Sequence, residues 1–115
     1  MAQLLTAGLV VTRNKQLLLA FSNNKNAWYL PGGKTNEGES PADALVREIR
    51  EELNFSLNKH KLVFYMHITA QAFGEAAGIM MEQDCFLYNL TERIRPSAEI
   101  AAVKYFSRQS YSREP

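Results

Sequence analysis

Three glutamates, Glu48, Glu51 and Glu52, stand within five positions of one another near the middle of the chain. On a helix, residues three and four positions apart are neighbours, so these carboxylates face a common side. Like charges at this spacing repel by roughly 0.2–0.5 kcal/mol per pair, which a bound divalent cation would offset. Oxygen ligands without clustered histidine or cysteine favour Mg²⁺ or Mn²⁺ over Zn²⁺. The alternative is a solvated acidic face that makes surface pairs with Arg47 and Arg50.

The residues around these glutamates predict a helix that begins at Pro41. Ser40 is a good N-cap, proline suits the first helical position, and Asp43 favours the positive end of the helix. Asn54 suits a left-handed C-cap, because asparagine tolerates that conformation. The acidic residues are expected on a separate arc from an apolar stripe, which is predicted to be buried and contains Ala42, Leu45, Val46, Ile49 and Leu53.

A glycine-containing loop precedes the predicted helix. Residues 28–34 read WYLPGGK, a short apolar strand broken by Pro-Gly-Gly. Two adjacent glycines let a bare backbone carbonyl approach an ion or a phosphate closely. The loop is therefore expected to supply an oxygen ligand beside the carboxylates of the helix.

Residues 33–55 resemble the Nudix box, G-x5-E-x7-R-E-U-x-E-E-x-G-U, in which U is a bulky apolar residue. The one departure is Asn54, where the family usually has glycine, and asparagine is the mildest replacement at a left-handed position. Residues 28–34 also resemble the W-x-x-PGGK entry of MutT-type members. The chain is identified from its sequence as a Nudix family member, on the matching positions Gly33, Glu39, Arg47, Glu48, Ile49, Glu51, Glu52 and Phe55.

The resemblance implies a fold, a reaction and a metal site. The fold is the α/β/α sandwich of Nudix domains, with a mixed β-sheet and a catalytic loop-helix. The reaction is Mg²⁺-dependent or Mn²⁺-dependent hydrolysis of a nucleoside diphosphate linked to another moiety, with modified nucleoside triphosphates as candidate substrates. The implied metal ligands are the carbonyl of Gly32 and the carboxylates of Glu48, Glu51 and Glu52.

The resemblance also implies catalytic roles. Arg47 would orient the glutamates of the box, and Glu39 would hold the loop. The general base stays open between a box glutamate such as Glu52 and a carboxylate outside the box, Glu82 or Glu99. The candidate catalytic residues are therefore Glu52, Glu51, Arg47 and Glu99.

Substrate-binding residues are harder to choose, because they lie outside the box. An aromatic side chain can stack on a base, although on a strand it more often belongs to the core. ADP-ribose or a dinucleoside polyphosphate is the alternative substrate, and a non-hydrolytic nucleotide sensor is the alternative function. Sensors commonly lose box glutamates, whereas all are present here. The candidates are Trp28, Lys34, Tyr65 and Phe73, with Phe86 as a further aromatic residue and His67 and Gln71 as readers of a base edge.

Length and composition limit the remaining possibilities. A chain of 115 residues predicts one domain over residues 1–115, and a net charge of +1 provides no global field for nucleic acid or an anionic membrane. The single cysteine, Cys85, excludes an internal disulfide and fits a reducing cytoplasm. Neither a membrane-spanning apolar run nor a signal peptide is recognisable. We expect a cytoplasmic protein that binds a small nucleotide, in an undetermined oligomeric state for which a homodimer is one option.

The remaining sequence predicts strands. Residues 4–12 and 16–21 form a predicted hairpin, and two longer strands, 61–73 and 79–90, are expected to pair across a loop at 74–78. Shorter strands are predicted at 28–30 and 100–106, with a turn at 58–60. Because only a short polar segment of nine residues follows Phe106, the closing C-terminal helix is expected to be short or absent, or the chain to be truncated.

Overall fold

The computed structural model describes residues 3–71, 79–91, 93–97 and 100–107. The predicted loop at 74–78 and the predicted short or absent closing helix lie outside these residues. The mixed α/β architecture is confirmed. In chain order the elements are β1 Gln3–Val10, β2 Thr12–Arg13, β3 Gln16–Ser22, β4 Ala27–Tyr29, β5 Gly32–Lys34, α1 Pro41–Leu53, a 3₁₀ helix Lys59–Lys61, β6 Val63–Gln71, β7 Met80–Leu87 and β8 Ile100–Phe106.

The strands form two four-stranded sheets. The first sheet has the order β5-β1-β7-β6 and is mixed, because β1 runs parallel to β7 and antiparallel to β5. The predicted pairing of β6 with β7 is confirmed and is antiparallel. In the second sheet β3 pairs antiparallel with β2, β4 and β8. The first sheet therefore carries the glycines of β5, Gly32 and Gly33.

The prediction that residues 4–12 and 16–21 form a hairpin is correct only at the tip and wrong for the rest of the first strand. Only β2 pairs with β3, across a turn in which Asn14 and Lys15 both have positive φ. The chain leaves the second sheet at Val11, whose carbonyl still accepts from the Leu18 N–H at 2.9 Å, and β1 continues into the first sheet. Alternating apolar residues indicate a half-buried strand but do not identify its partner, which explains the error.

Helix α1 has the predicted bounds and caps. The Ser40 hydroxyl accepts from the Asp43 N–H at 3.1 Å, and Asn54 has φ 54° and ψ 39°, a left-handed C-cap. The apolar stripe packs on β1, with Leu45 and Ile49 fully buried. Ala44 rather than Ala42 is buried with the stripe. Within the described residues no helix has the length and apolarity needed to cross a membrane.

Candidate active site

Gly32 and Gly33 of the predicted loop belong to strand β5, and they bring this segment against β1 and α1. Gly32 has a φ of +141°, in the region that favours glycine, and a Cβ atom there would collide with the carbonyl oxygen of Ala7. A Cβ atom at Gly33 would instead collide with the carboxylate of Glu48. The absence of side chains at both positions lets β5 pair closely with β1 while the helix carboxylate contacts the loop backbone.

Glu52 is the most buried of the three predicted metal-binding glutamates. Its exposed fraction is 5%, and its Oε1 accepts a hydrogen bond from the Gly32 N–H at 3.3 Å. The expectation that all three glutamates lie on an arc separate from the core is wrong for Glu52. Glu52 follows Ile49 by three positions, so it lies over the same side of the helix as the buried stripe.

Arg47 connects the loop and the helix. Its Nε and Nη2 donate to the two carboxylate oxygens of Glu39, both at 3.0 Å. Its Nη1 donates to Glu48 at 2.9 Å and, at a longer 3.5 Å, to Glu51. Nη2 also donates to the Lys34 carbonyl at 2.9 Å. One guanidinium thus fixes the orientation of three carboxylates and of the loop backbone.

The electrostatics of this network favour the charged forms. Hydrogen bonds from Arg47, and then from the backbone N–H of Asn36, lower the pKa of Glu39 below its ordinary value. In return Glu39, and after it Glu48, raises the pKa of Arg47. Arg47 and Glu39 therefore remain an ion pair throughout the neutral pH range.

A cavity of about 490 Å³ opens beside the helix carboxylates. It lies between the two sheets, so that β1 and β7 form one wall and β3 and β8 contribute to another. Glu48 and Glu52 line it, whereas Glu51 does not and has 55% of its side chain exposed. The described residues that line it are Leu4, Thr6, Ala20, Ser22, Asn24, Lys25, Tyr29, Leu30, Gly32, Gly33, Lys34, Glu48, Glu52, Met81, Gln83 and Ile100.

Of the predicted substrate-binding residues, Lys34 lines this cavity and Trp28 does not. The indole of Trp28 packs edge-on against Phe21 and Phe106, with ring centroids 5.3 Å and 4.8 Å apart. Tyr29 lines the cavity instead, because successive side chains of a strand point to opposite faces. The sequence indicated the strand but not which face of it borders the cavity.

Tyr65 and His67 are not brought to the cavity. Tyr65 lies on the edge strand β6, is 54% exposed and is not part of the lining. Phe73 and the side chain of Gln71 lie outside the described residues. Sequence analysis missed Gln83, which lines the cavity. A Cβ atom at Gly8 would come within 3.0 Å of the Gln83 Nε2, so the glycine leaves room for this amide.

Of the two candidate bases outside the box, only Glu82 can be located in the structure. Glu99 lies outside the described residues. Glu82 accepts from Thr69 at 2.9 Å and contacts His67 Nε2 at 2.7 Å, away from the cavity lining. Asp84 contacts the other ring nitrogen of His67 at 2.6 Å, and Asp84 and Glu82 together raise the pKa of this imidazole. Glu82 is thus hydrogen-bonded to His67 and does not line the cavity.

The cavity wall offers the ligands that a hard cation prefers. Two carboxylates, those of Glu48 and Glu52, line it together with the backbone of Gly32, and no imidazole or thiol belongs to the lining. Across the described residues no three carboxylate, imidazole or thiol side chains are arranged to hold a metal ion. The third carboxylate, Glu51, contacts Arg47 and must turn to join the others. The donor set fits Mg²⁺ or Mn²⁺ with a shell completed by water and phosphate oxygens.

Comparison with known proteins identifies the family. The family model described as the NUDIX domain matches residues 2–115. The chain belongs to the Nudix family. Among curated relatives of this Nudix chain, the RNA pyrophosphohydrolase of Ruthia magnifica subsp. Calyptogena magnifica is 46% identical over 50 residues. That match covers 43% of this chain and 28% of the relative.

Solved structures agree with the Nudix fold. The MutT NUDIX hydrolase of Burkholderia pseudomallei superposes with a TM-score of 0.78 at 22% identity, covering 96% of this chain and 87% of that one. A bifunctional NMN adenylyltransferase/ADP ribose pyrophosphatase of Francisella tularensis, complexed with AMP and a manganese ion, has a TM-score of 0.69 at 21% identity. It is matched over 95% of this chain and 35% of its own. At these identities the likeness shows the fold alone.

Proposed function

We propose that this Nudix chain is a hydrolase that cleaves the phosphoric anhydride of a small nucleoside diphosphate derivative, with Mg²⁺ or Mn²⁺ as cofactor. The observation that carries the proposal is the cavity itself, because Glu48, Glu52, the two loop glycines and Lys34 all line it. Acidic residues that could bind a cation and a lysine that could bind a phosphate thus line the same cavity. Its volume of about 490 Å³ falls in the range of small-molecule sites.

Each residue of the site has a role in this proposal. A bound divalent cation supplies neutralisation of the phosphoryl oxygens and a lower pKa for an attacking water. Glu48, Glu51 and Glu52, with the Gly32 carbonyl, are the residues that would hold it. Arg47 keeps Glu48 directed toward the loop through its 2.9 Å hydrogen bond.

Proton transfer is assigned to Glu52, and neutralisation of the phosphate charge to Lys34. Glu52 is assigned as the general base, because its carboxylate borders the cavity and the Gly32 N–H fixes one of its oxygens. Lys34 is assigned to the phosphate, because it is a lysine that lines the cavity together with Glu48 and Glu52. Neither assignment needs Glu82, which is occupied with His67.

Two further residues of the cavity lining suit a nucleoside. Tyr29 offers an aromatic ring, and the Gln83 amide carries both a donor and an acceptor for a base edge. These two residues replace Trp28 and Tyr65 in our assignment of substrate contacts. A small nucleotide rather than nucleic acid is the expected partner, in a single cytoplasmic domain.

A second candidate substrate is the triphosphorylated 5′ end of RNA. It is favoured by the relative named RNA pyrophosphohydrolase, whose match to this chain is 46% identical over 50 residues. The net charge of +1 argues against a long nucleic-acid contact, although a 5′ end needs only the nucleotide cavity.

A nucleotide panel tests the proposal. The protein is incubated with Mg²⁺ or with a chelator and with ordinary and oxidised purine nucleoside triphosphates, ADP-ribose, a dinucleoside polyphosphate and a 5′-triphosphorylated RNA oligonucleotide. We expect Mg²⁺-dependent cleavage of at least one small nucleotide. Cleavage of the RNA alone would favour the second candidate. Binding without cleavage of any substrate would contradict the hydrolase and favour a nucleotide sensor.

A further inference from the structure

The one departure from the Nudix box, Asn54, makes a contact that glycine could not make. Asn54 ends α1 in the left-handed conformation, as glycine would, with φ 54° and ψ 39°. In addition its Nδ2 donates to the Arg95 carbonyl at 2.8 Å. The asparagine therefore both caps the helix and attaches a distant segment to its end.

That segment satisfies the last carbonyls of α1. The Arg95 N–H donates to the Leu53 carbonyl at 2.9 Å, and the Ser97 N–H donates to the Glu52 carbonyl at 2.7 Å. The Ser97 hydroxyl donates to the Glu51 carbonyl at 2.6 Å. The final carbonyls of a helix have no partner within the helix. Here two of the carbonyls that are satisfied belong to glutamates of the proposed metal site.

The same segment leads to the cavity wall. The Ile100 N–H donates to the Ser97 carbonyl at 3.0 Å, and Ile100 starts β8. Ile100 is 7% exposed and lines the cavity together with Glu52. Ser97 is therefore bonded on one side to the acidic turn of α1 and on the other to a residue of the substrate wall.

We propose that Asn54 and Ser97 are positioning residues for the metal-binding carboxylates. Without them, the last turn of α1 would lose partners for the carbonyls that follow Arg50, and the turn that carries Glu51 and Glu52 would fray. Asn54 keeps the backbone conformation of the usual glycine and adds a donor that holds the 93–97 segment in place. This inference rests on the proposed function, because it assigns to a cation site the clamp formed by the hydrogen bonds of Asn54 to Arg95 and of Ser97 to Glu51.

The test measures Mn²⁺ binding without nucleotide, from the electron paramagnetic resonance signal of free Mn²⁺. Asn54→Gly removes the donor but keeps the left-handed cap, and Ser97→Ala removes the hydroxyl. Ser97→Thr keeps a hydroxyl at the same position. Asn58→Ala is the matched control, because the Asn58 side chain likewise makes a backbone hydrogen bond, to His60, but at the short 3₁₀ helix. Thermal melts of all variants confirm that each is folded at the binding temperature.

Asn54→Gly and Ser97→Ala are expected to weaken Mn²⁺ binding about 10-fold. This is the lower end of the roughly 10–100-fold loss of metal affinity that follows removal of a residue orienting a metal ligand. Ser97→Thr and Asn58→Ala are expected to bind as the wild type does. A lower melting temperature with unchanged Mn²⁺ affinity in both clamp variants would overturn the inference and leave the proposed function standing. A wild type that binds no Mn²⁺ would overturn both.

Discussion

Alanine should affect stability at Gly32 but metal binding at Gly33, although the two residues are adjacent. At Gly32 the φ of +141° costs a non-glycine residue about 1–3 kcal/mol, and the new Cβ collides with the Ala7 carbonyl. Loss of about one strand hydrogen bond adds about 0.5–1.5 kcal/mol. Gly32→Ala is therefore expected to lower the free energy of unfolding by about 1.5–4.5 kcal/mol.

Gly33 has no positive φ, so alanine is compatible with its backbone. The new Cβ atom would collide with the Glu48 carboxylate. This carboxylate can rotate away, but it then loses its hydrogen bond with Arg47. Loss of such a partly exposed ion pair destabilises the folded protein by about 0.2–1 kcal/mol. Alanine also restricts the unfolded chain more than glycine does, which stabilises the folded state by about 0.4–1 kcal/mol. Gly33→Ala should thus change stability by less than about 1 kcal/mol while displacing a proposed metal ligand.

Urea denaturation followed by circular dichroism, together with Mn²⁺ titration, separates these effects. Gly32→Ala should lower the denaturation midpoint clearly. Gly33→Ala should leave the midpoint near that of the wild type and weaken Mn²⁺ binding by about 10-fold. Equal destabilisation by the two variants would refute the assigned backbone geometry. Wild-type Mn²⁺ affinity in Gly33→Ala would refute the placement of Glu48 against the loop.

Two further predictions follow from the cluster around His67 and from the helix C-cap. The folded state raises the pKa of His67 and lowers that of Glu82, so their pairing should stabilise the protein fully between pH 4.5 and 6.5 and lose effect as pH rises through the raised pKa of His67. In thermal melts His67→Gln should lose stability mainly in that window, and a pH-independent difference would contradict the pairing. Asn54→Val should be less stable than Asn54→Gly by about 1 kcal/mol or more, because a β-branched residue tolerates positive φ poorly. Equal melting temperatures would contradict the left-handed cap.

The acidic helix could be predicted closely from sequence because its signals are local. Ser40, Pro41 and Asn54 each act within one helical turn, and together they gave the observed bounds Pro41–Leu53. The family resemblance rests on the same stretch, so the residues of the proposed metal site were identified together. The capping residues and the Nudix box therefore both indicate helix α1.

Features that depend on long-range packing could not be predicted in this way. The choice between Trp28 and Tyr29 as a cavity residue depends on which face of β4 borders the cavity, and both faces carry an aromatic ring. The cavity role of Gln83 depends on the space left by Gly8 across a parallel strand pair. Likewise, the left-handed cap at Asn54 was predictable, but its hydrogen bond to a carbonyl 41 positions away was not.

The most direct test of the proposed hydrolase compares the wild type with Glu52→Gln, using the best substrate of the nucleotide panel. Glutamine keeps an oxygen that can accept from the Gly32 N–H, so the fold should be retained. With Mg²⁺ we expect turnover to fall by at least about 10²-fold, because a metal ligand and the assigned base are lost together. In a chelator the variant should melt no lower than the wild type, since one of several neighbouring carboxylates has been neutralised. Wild-type turnover by a folded Glu52→Gln variant would contradict the catalytic assignment of this cavity.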